Sequence, residues 1–236
     1  MIELSERLMA MEESATIAMS QKSRELRLEG KDVISLSLGE PDFFTPQFIK
    51  DAASKAMDDN FTMYTPVPGY DDLREAISRK FKRDNNLDYA PNQIVVSTGA
   101  KQSIANVVMS LVNEGDEVII PAPFWVSYIE IVKVAGGVPV IVSAGIENDF
   151  KISGKQLADA MTPKTKMMIF STPCNPTGSV YSRSELAELA LVLEQNPKVV
   201  AICDEIYEHI NFGAKHESLA QFDEIREQVV TVNGVS

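Results

Sequence analysis

The sequence predicts an α/β protein: a mostly parallel sheet covered by helices on both faces, preceded by an N-terminal arm that is part of a smaller domain. Three observations carry this. From residue 93 onward, short apolar runs alternate with segments whose apolar residues recur at helical spacing. The links between them are short and built from Gly, Pro, Asp and Asn, as compact βα units require. Residues 1–45 break the alternation, being polar, helical and then rich in turn residues.

Taken in order, a polar helix is expected over 14–29, ending at Gly30, followed by one short strand in DVISLSLGEPDF and a Gly/Pro turn. Helices over 46–58 and 70–85 bracket MYTPVPG, whose prolines exclude regular helix. QIVVS (93–97) reads as a strand and AKQSIANVVMSLV (100–112) as its following helix. DEVIIP (116–121), an amphipathic segment over 124–135 and VPVIVS (138–143) repeat the pattern. So do a helix over 153–160, KMMIFS (166–171), a helix over 182–194, KVVAIC (198–203) and, after a polar segment, VVTV (229–232). The division expected is 1–45 as arm and partial small domain, and 46–236 as a large ligand-binding domain incomplete at its C-terminal end.

Composition limits the function classes. The chain has 236 residues, 44% hydrophobic and 24% charged, and no apolar run approaches the roughly 20 residues of a membrane helix. The N-terminus mixes charge into every turn and lacks the basic start and apolar block of a secretory signal, so a cytoplasmic location is the default. A formal net charge of −12 argues against nucleic-acid binding, which needs a basic face. Cys174 and Cys203 adjoin apolar runs and read as buried thiols. His209 and His216 read as surface residues without metal-ligand partners.

In open parallel sheets, ligands gather beyond the carboxyl ends of the strands. After 93–97 comes STGAKQS, a small-residue turn into a helix whose free N–H groups and positive end suit a phosphate; a plain turn capped by Thr98 reads the same way. After 116–121 comes PAPFWVSY, with Trp125 placed to stack on a planar ring or to sit in the core. After 166–171 comes TPCNPTG, where a cis Asn-Pro bond could turn the Asn175 amide inward. After 198–203 comes DEIYEHI. Asp204 follows a buried run and therefore needs a cationic partner, and Tyr207 sits one helical turn on with a phenolic O–H. A phosphate cradle, a stacking ring, an amide donor and an acid beside a phenol match the needs of pyridoxal 5'-phosphate.

With these stretches the sequence resembles the fold-type I pyridoxal-phosphate enzymes, and among them the class I/II aminotransferases, most closely the bacterial aspartate aminotransferase group. SLGEPDF, YTPVPG, STGAKQ, APFWVSY, TPCNPTG, DEIYEH and TVNGVS stand in family order from residue 36 to 236. The resemblance implies that Gly99, Ala100 and Lys101 hold the cofactor's phosphate, with Ser236 adding its hydroxyl and Tyr64 reaching across from a neighbouring subunit of a homodimer. It implies that Trp125 stacks on the ring, that Asn175 and Tyr207 bind the ring oxygen, and that Asp204 pairs with the protonated ring nitrogen. Gly39 would meet the substrate α-carboxylate, with Trp125 and Asn175 beside the substrate, and Lys101 its distal carboxylate. No metal is implied.

In this family the lysine that binds the cofactor covalently follows the last serine, so it is expected directly after Ser236. The chain is then a fragment, or it stops where that lysine carries the cofactor. The reaction implied is ping-pong transamination between aspartate or glutamate and a 2-oxo acid such as 2-oxoglutarate, with prephenate as another acceptor. C–S β-elimination, alanine or aromatic transamination, and a non-catalytic ligand-binding domain share most of these motifs.

Overall fold

The computed structural model describes residues 3–9, 11, 15–36, 38–39, 43–213 and 215–235. The chain divides into two units, Met1–Glu12 with Asp71–Ser236, and Glu13–Tyr70. Its helices, in chain order, are α1 (Glu6–Met9), α2 (Ala15–Leu28), α3 (Gln47–Asp58), α4 (Asp71–Asn85), α5 (Ala100–Leu111), α6 (Ser127–Val134), α7 (Gly154–Ala160) and α8 (Arg183–Glu194). The strands are β1 (Glu117–Ala122), β2 (Val138–Ser143), β3 (Thr165–Ser171), β4 (Val200–Asp204) and β5 (Val229–Val232). None of the described helices is long and apolar enough to cross a membrane.

The smaller unit, 13–70, holds α2 and α3, joined and followed by irregular backbone. The short strand expected in DVISLS does not form among the described residues, where Ile34 and Leu36 are exposed. α3 starts directly after Pro46, whose fixed φ suits a helix start, and it buries no residue.

In the larger unit, the five strands form one parallel sheet in the order β2-β1-β3-β4-β5. The order reverses between β1 and β3, the switch point at which open sheets leave a crevice beyond their strand ends. Register sets the ends of the last three strands level: Ser171 lies beside Asp204, and Asp204 beside Val232.

The strands are apolar through their centres because helices cover both faces. On one face Val118, Ile120, Met167, Ile169, Ile202 and Val232 pack with Ile104 and Val108 of α5 and with Tyr128 and Val132 of α6. On the other, Ile119, Met168, Phe170, Ala201 and Cys203 pack with Leu157 of α7 and with Leu186, Leu189 and Leu193 of α8. Fully burying each such aliphatic chain stabilises the fold by about 1.5–3 kcal/mol.

Local signals fix the helix starts. Ser182 and Glu185 form a capping box on α8, in which the serine hydroxyl accepts from Glu185 N–H and the glutamate accepts from Ser182 N–H at 2.7 Å. Ser153 and Gln156 do the same for α7.

A second expected strand also does not form. Residues 94–97 run unpaired after a 3-10 turn at Pro91–Gln93, and Val95 is exposed, because no described strand lies alongside to supply ladder hydrogen bonds. The short helix α1 was not foreseen, being a single turn with no sustained periodicity.

Candidate active site

Asp204 ends β4 and is 4% exposed. Its backbone is held from both neighbouring strands: Asp204 O accepts from Thr172 N–H at 3.1 Å, and the next residue, Glu205, donates its N–H to Val232 O at 2.8 Å. The side chain is not met by the cation that its burial suggested. Among the described residues its partners are the phenol of Tyr128, which donates to Oδ2 at 2.7 Å, and the N–H of Ile206, which donates to Oδ1 at 3.3 Å. Burial pushes its pKa up, the two donors pull it down, and the adjacent Glu205 charge adds to the upward push; the net shift is upward. Tyr128 is 1% exposed, and its own pKa is driven upward by burial and then by Asp204, so it remains a donor.

Sequence reasoning missed Tyr128. It stands three residues after Trp125 in APFWVSY, at the start of α6, a spacing that sets both rings on one helix face. The two rings meet edge to face, with centroids 5.6 Å apart.

Trp125 follows β1 through a cis Ala122–Pro123 bond. The ammonium of Lys101 lies 4.8 Å from its ring centroid, a cation–π contact between the first turn of α5 and the end of β1. The phosphate-cradle residues thus converge with the stacking residue.

α5 has no side-chain cap. Its N-cap is Gly99, at φ 92 and ψ 160, a conformation that L residues avoid. Thr98, the alternative cap, instead donates its N–H to Gln102 Oε1 at 2.5 Å. Gly99 O takes the first intrahelical bonds, from Gln102 and Ser103, so the N–H groups of Ala100 and Lys101 precede the helix ladder and face outward from its positive end.

After β3, Asn175 lies before a cis Asn175–Pro176 bond, and its Nδ2 donates to Tyr207 OH at 3.2 Å. The amide and phenol assigned to one ring oxygen are therefore already adjacent. Residues 206–209 form turns, so Tyr207 reaches Asn175 from a loop.

The remaining assigned residues lie elsewhere. Gly39 and Tyr64 belong to the 13–70 unit, where both are exposed, and Ser236 lies outside the described residues.

His216 departs from expectation. Its side chain is only 10% exposed, with Nε2 2.9 Å from Glu205 Oε2, while Ser218 Oγ donates to Glu205 Oε1 at 2.6 Å. Glu205, Glu208 and His216 bring donor atoms within 4.8 Å of one another. The Lys80 ammonium already pairs with Glu208, and Asn85 Nδ2 donates to it at 2.5 Å, so this cluster neutralises its own charge.

These residues fit pyridoxal phosphate on one observation above the rest. A carboxylate this buried, with no cation among its described partners, suits a protonated ring nitrogen at Oδ1.

The sequence profile of the family described as aminotransferase class I and II matches residues 31–236. The chain belongs to that family. It is similar to a probable aspartate/prephenate aminotransferase of Rickettsia bellii, 51% identical over 99% of this chain and 59% of that protein. It is likewise similar to the aspartate aminotransferase of Bacillus subtilis, 47% identical over 100% of this chain and 60% of that protein.

Its fold matches the crystal structure of the aspartate aminotransferase from Rhizobium meliloti, with TM-score 0.96, 38% identity, and 100% and 59% of the two chains covered. It also matches the Thermus thermophilus aspartate aminotransferase with maleate, with TM-score 0.95, 40% identity, and 100% and 61% covered. The chain spans about three fifths of the length of the curated relatives it matches.

Proposed function

We propose that the protein carrying this chain is a pyridoxal 5'-phosphate-dependent aminotransferase that moves an amino group between aspartate or glutamate and a 2-oxo acid such as 2-oxoglutarate. The observation that carries the reading is Asp204: buried, ionisable, tied to two strands, and oriented by a phenol in place of a cation. The names of the relatives support aspartate as donor and prephenate as a further acceptor, and the maleate in the Thermus structure is a dicarboxylate of similar reach.

When bound, pyridoxal phosphate supplies an aldehyde that exchanges amino groups and a pyridinium ring that accepts the electron pair left at the substrate's α-carbon. Asp204 keeps the ring nitrogen protonated by ion pairing. Asn175 and Tyr207 donate hydrogen bonds to the ring oxygen and so set the basicity of the neighbouring nitrogen. Trp125 fixes the plane of the ring, and the N–H groups of Ala100 and Lys101, released at the turn made by Gly99, bind the phosphate, with Ser236 contributing its hydroxyl. Lys101 offers its ammonium to the substrate's distal carboxylate, and Gly39 its backbone to the α-carboxylate.

The same proposal includes a cytoplasmic homodimer in which Tyr64 completes the phosphate site of the neighbouring subunit. It divides the chain into an arm with part of a small domain, 1–45, and a cofactor-binding domain from 46 onward. It also places the proton-transferring lysine directly after Ser236.

The test is to load the protein with pyridoxal phosphate and supply aspartate with 2-oxoglutarate, following oxaloacetate through malate dehydrogenase. Oxaloacetate that forms only when 2-oxoglutarate is present supports the reading. Pyruvate released from an amino acid without any acceptor would overturn it in favour of β-elimination.

A further inference from the structure

We propose that Tyr128 is a positioning residue for Asp204: its phenol fixes Oδ2 and thereby presents Oδ1 to the cofactor's ring nitrogen. This rests on the aminotransferase reading for the identity of the ring, but the coupling between the two side chains stands on geometry alone. The phenol donates to Oδ2 at 2.7 Å, and both groups are almost wholly buried. Among the described residues Oδ1 has only the 3.3 Å contact from Ile206 N–H, so it is the oxygen placed to take a stronger donor.

The two side chains come from different elements on one face of the sheet, Tyr128 from α6 and Asp204 from the end of β4. Tyr128 is itself wedged, edge on, against Trp125 at 5.6 Å. The stacking residue and the acid are thus linked through one phenol.

A carboxylate in this place would otherwise be drawn toward its neutral form by burial and by Glu205 next to it in the chain. A charge-assisted hydrogen bond from a group that keeps its proton opposes both. A lysine or arginine at position 128 could stabilise the carboxylate too, but it would compete with the ring nitrogen for it. A neutral donor holds the charge without cancelling it.

The test is Tyr128→Phe, which keeps the ring and its packing. In the cofactor-free protein, carbon-13 NMR of the Asp204 carboxyl should show its titration moved upward by about one unit or more, the loss of roughly a tenfold preference for the charged form. In the loaded protein, pyridoxal-phosphate affinity should fall by about tenfold or more. The same substitution made in an Asp204→Asn background should have little further effect on affinity, because Tyr128 acts through the acid.

An Asp204 titration unchanged in Tyr128→Phe, or an equal loss of affinity in both backgrounds, overturns the proposal and leaves Tyr128 a packing residue. Were the variant to misfold, the double-mutant comparison with Tyr128→Trp, which retains an N–H donor, keeps the question open to the same two readouts. If the wild-type protein binds no pyridoxal phosphate, the aminotransferase reading fails, while the NMR titration still decides whether Tyr128 controls Asp204.

Discussion

Replacing Lys80 with methionine keeps most of the aliphatic stem and removes the charge that faces Glu208. The structure sets the magnitude. Glu208 has a side chain only 3% exposed, and its partners include Lys80, Asn85, Asn233 and the exposed His209. Breaking a buried pair by removing one partner costs about 3–5 kcal/mol. Lys80 is 23% exposed, so water reaches the vacated side, and the lower end, about 3 kcal/mol, is expected near neutral pH.

The sign of the pH dependence follows from Glu208. In the wild type, burial pushes its pKa up, but the hydrogen bonds from Lys80 and Asn85 outweigh this and the net shift is downward. Its contribution is therefore present above the ordinary glutamate value of about 4.3 and is lost as pH falls through the depressed folded value. In the variant, burial is left with little opposition. The folded pKa then lies above the unfolded one, and the penalty is relieved as pH falls through it. Both effects narrow the gap between the proteins in acid.

Urea unfolding of the cofactor-loaded protein, followed by circular dichroism at about pH 7.5 and about pH 5, measures that gap. A loss under about 1 kcal/mol, unchanged between the two pH values, would mark the pair as an ordinary surface ion pair and refute the reasoning.

Three further outcomes are expected. Asp204→Ala should lower kcat by about a thousandfold while the cofactor remains bound, read by steady-state kinetics alongside cofactor absorbance; retained turnover would remove Asp204 from its assigned role. Gly99→Ala should destabilise the protein by about 1–3 kcal/mol in thermal unfolding through backbone conformation alone, because an added Cβ meets nothing within 4 Å at φ 92. Ser182→Ala removes the hydroxyl half of the α8 capping box and should cost about 1 kcal/mol, measured by the same unfolding experiment.

Most of the fold was legible because the alternation of buried strands and amphipathic helices is written locally. VPVIVS is β2 over the same residues, and the boundaries of α3, α4 and α8 fall within a residue or so of their caps. What failed depended on neighbours. QIVVS has the residues of a strand, but a strand exists only where another pairs with it, and none of the described strands does. Asp204 could be marked as a costly buried charge, but whether a cation or a phenol answers it depends on what α6 brings across the sheet. His216, expected at the surface for want of ligand partners at a suitable spacing, has a side chain only 10% exposed and meets Glu205, 11 residues away in the chain.

The alternation of β4 also decides which chemistry the crevice receives. Ala201 and Cys203 face the core built on α7 and α8, while Ile202 and Asp204 face the side of α5 and α6. A one-residue slip of this strand would exchange the two sets. It would offer a thiol to the ring nitrogen and drive a carboxylate into a hydrocarbon core. The pairing of Phe170 with Cys203 and of Ser171 with Asp204 therefore acts as a selector. The aliphatic side chains that hold that register, none of which touches a ligand, choose an acid over a thiol at the centre of the site.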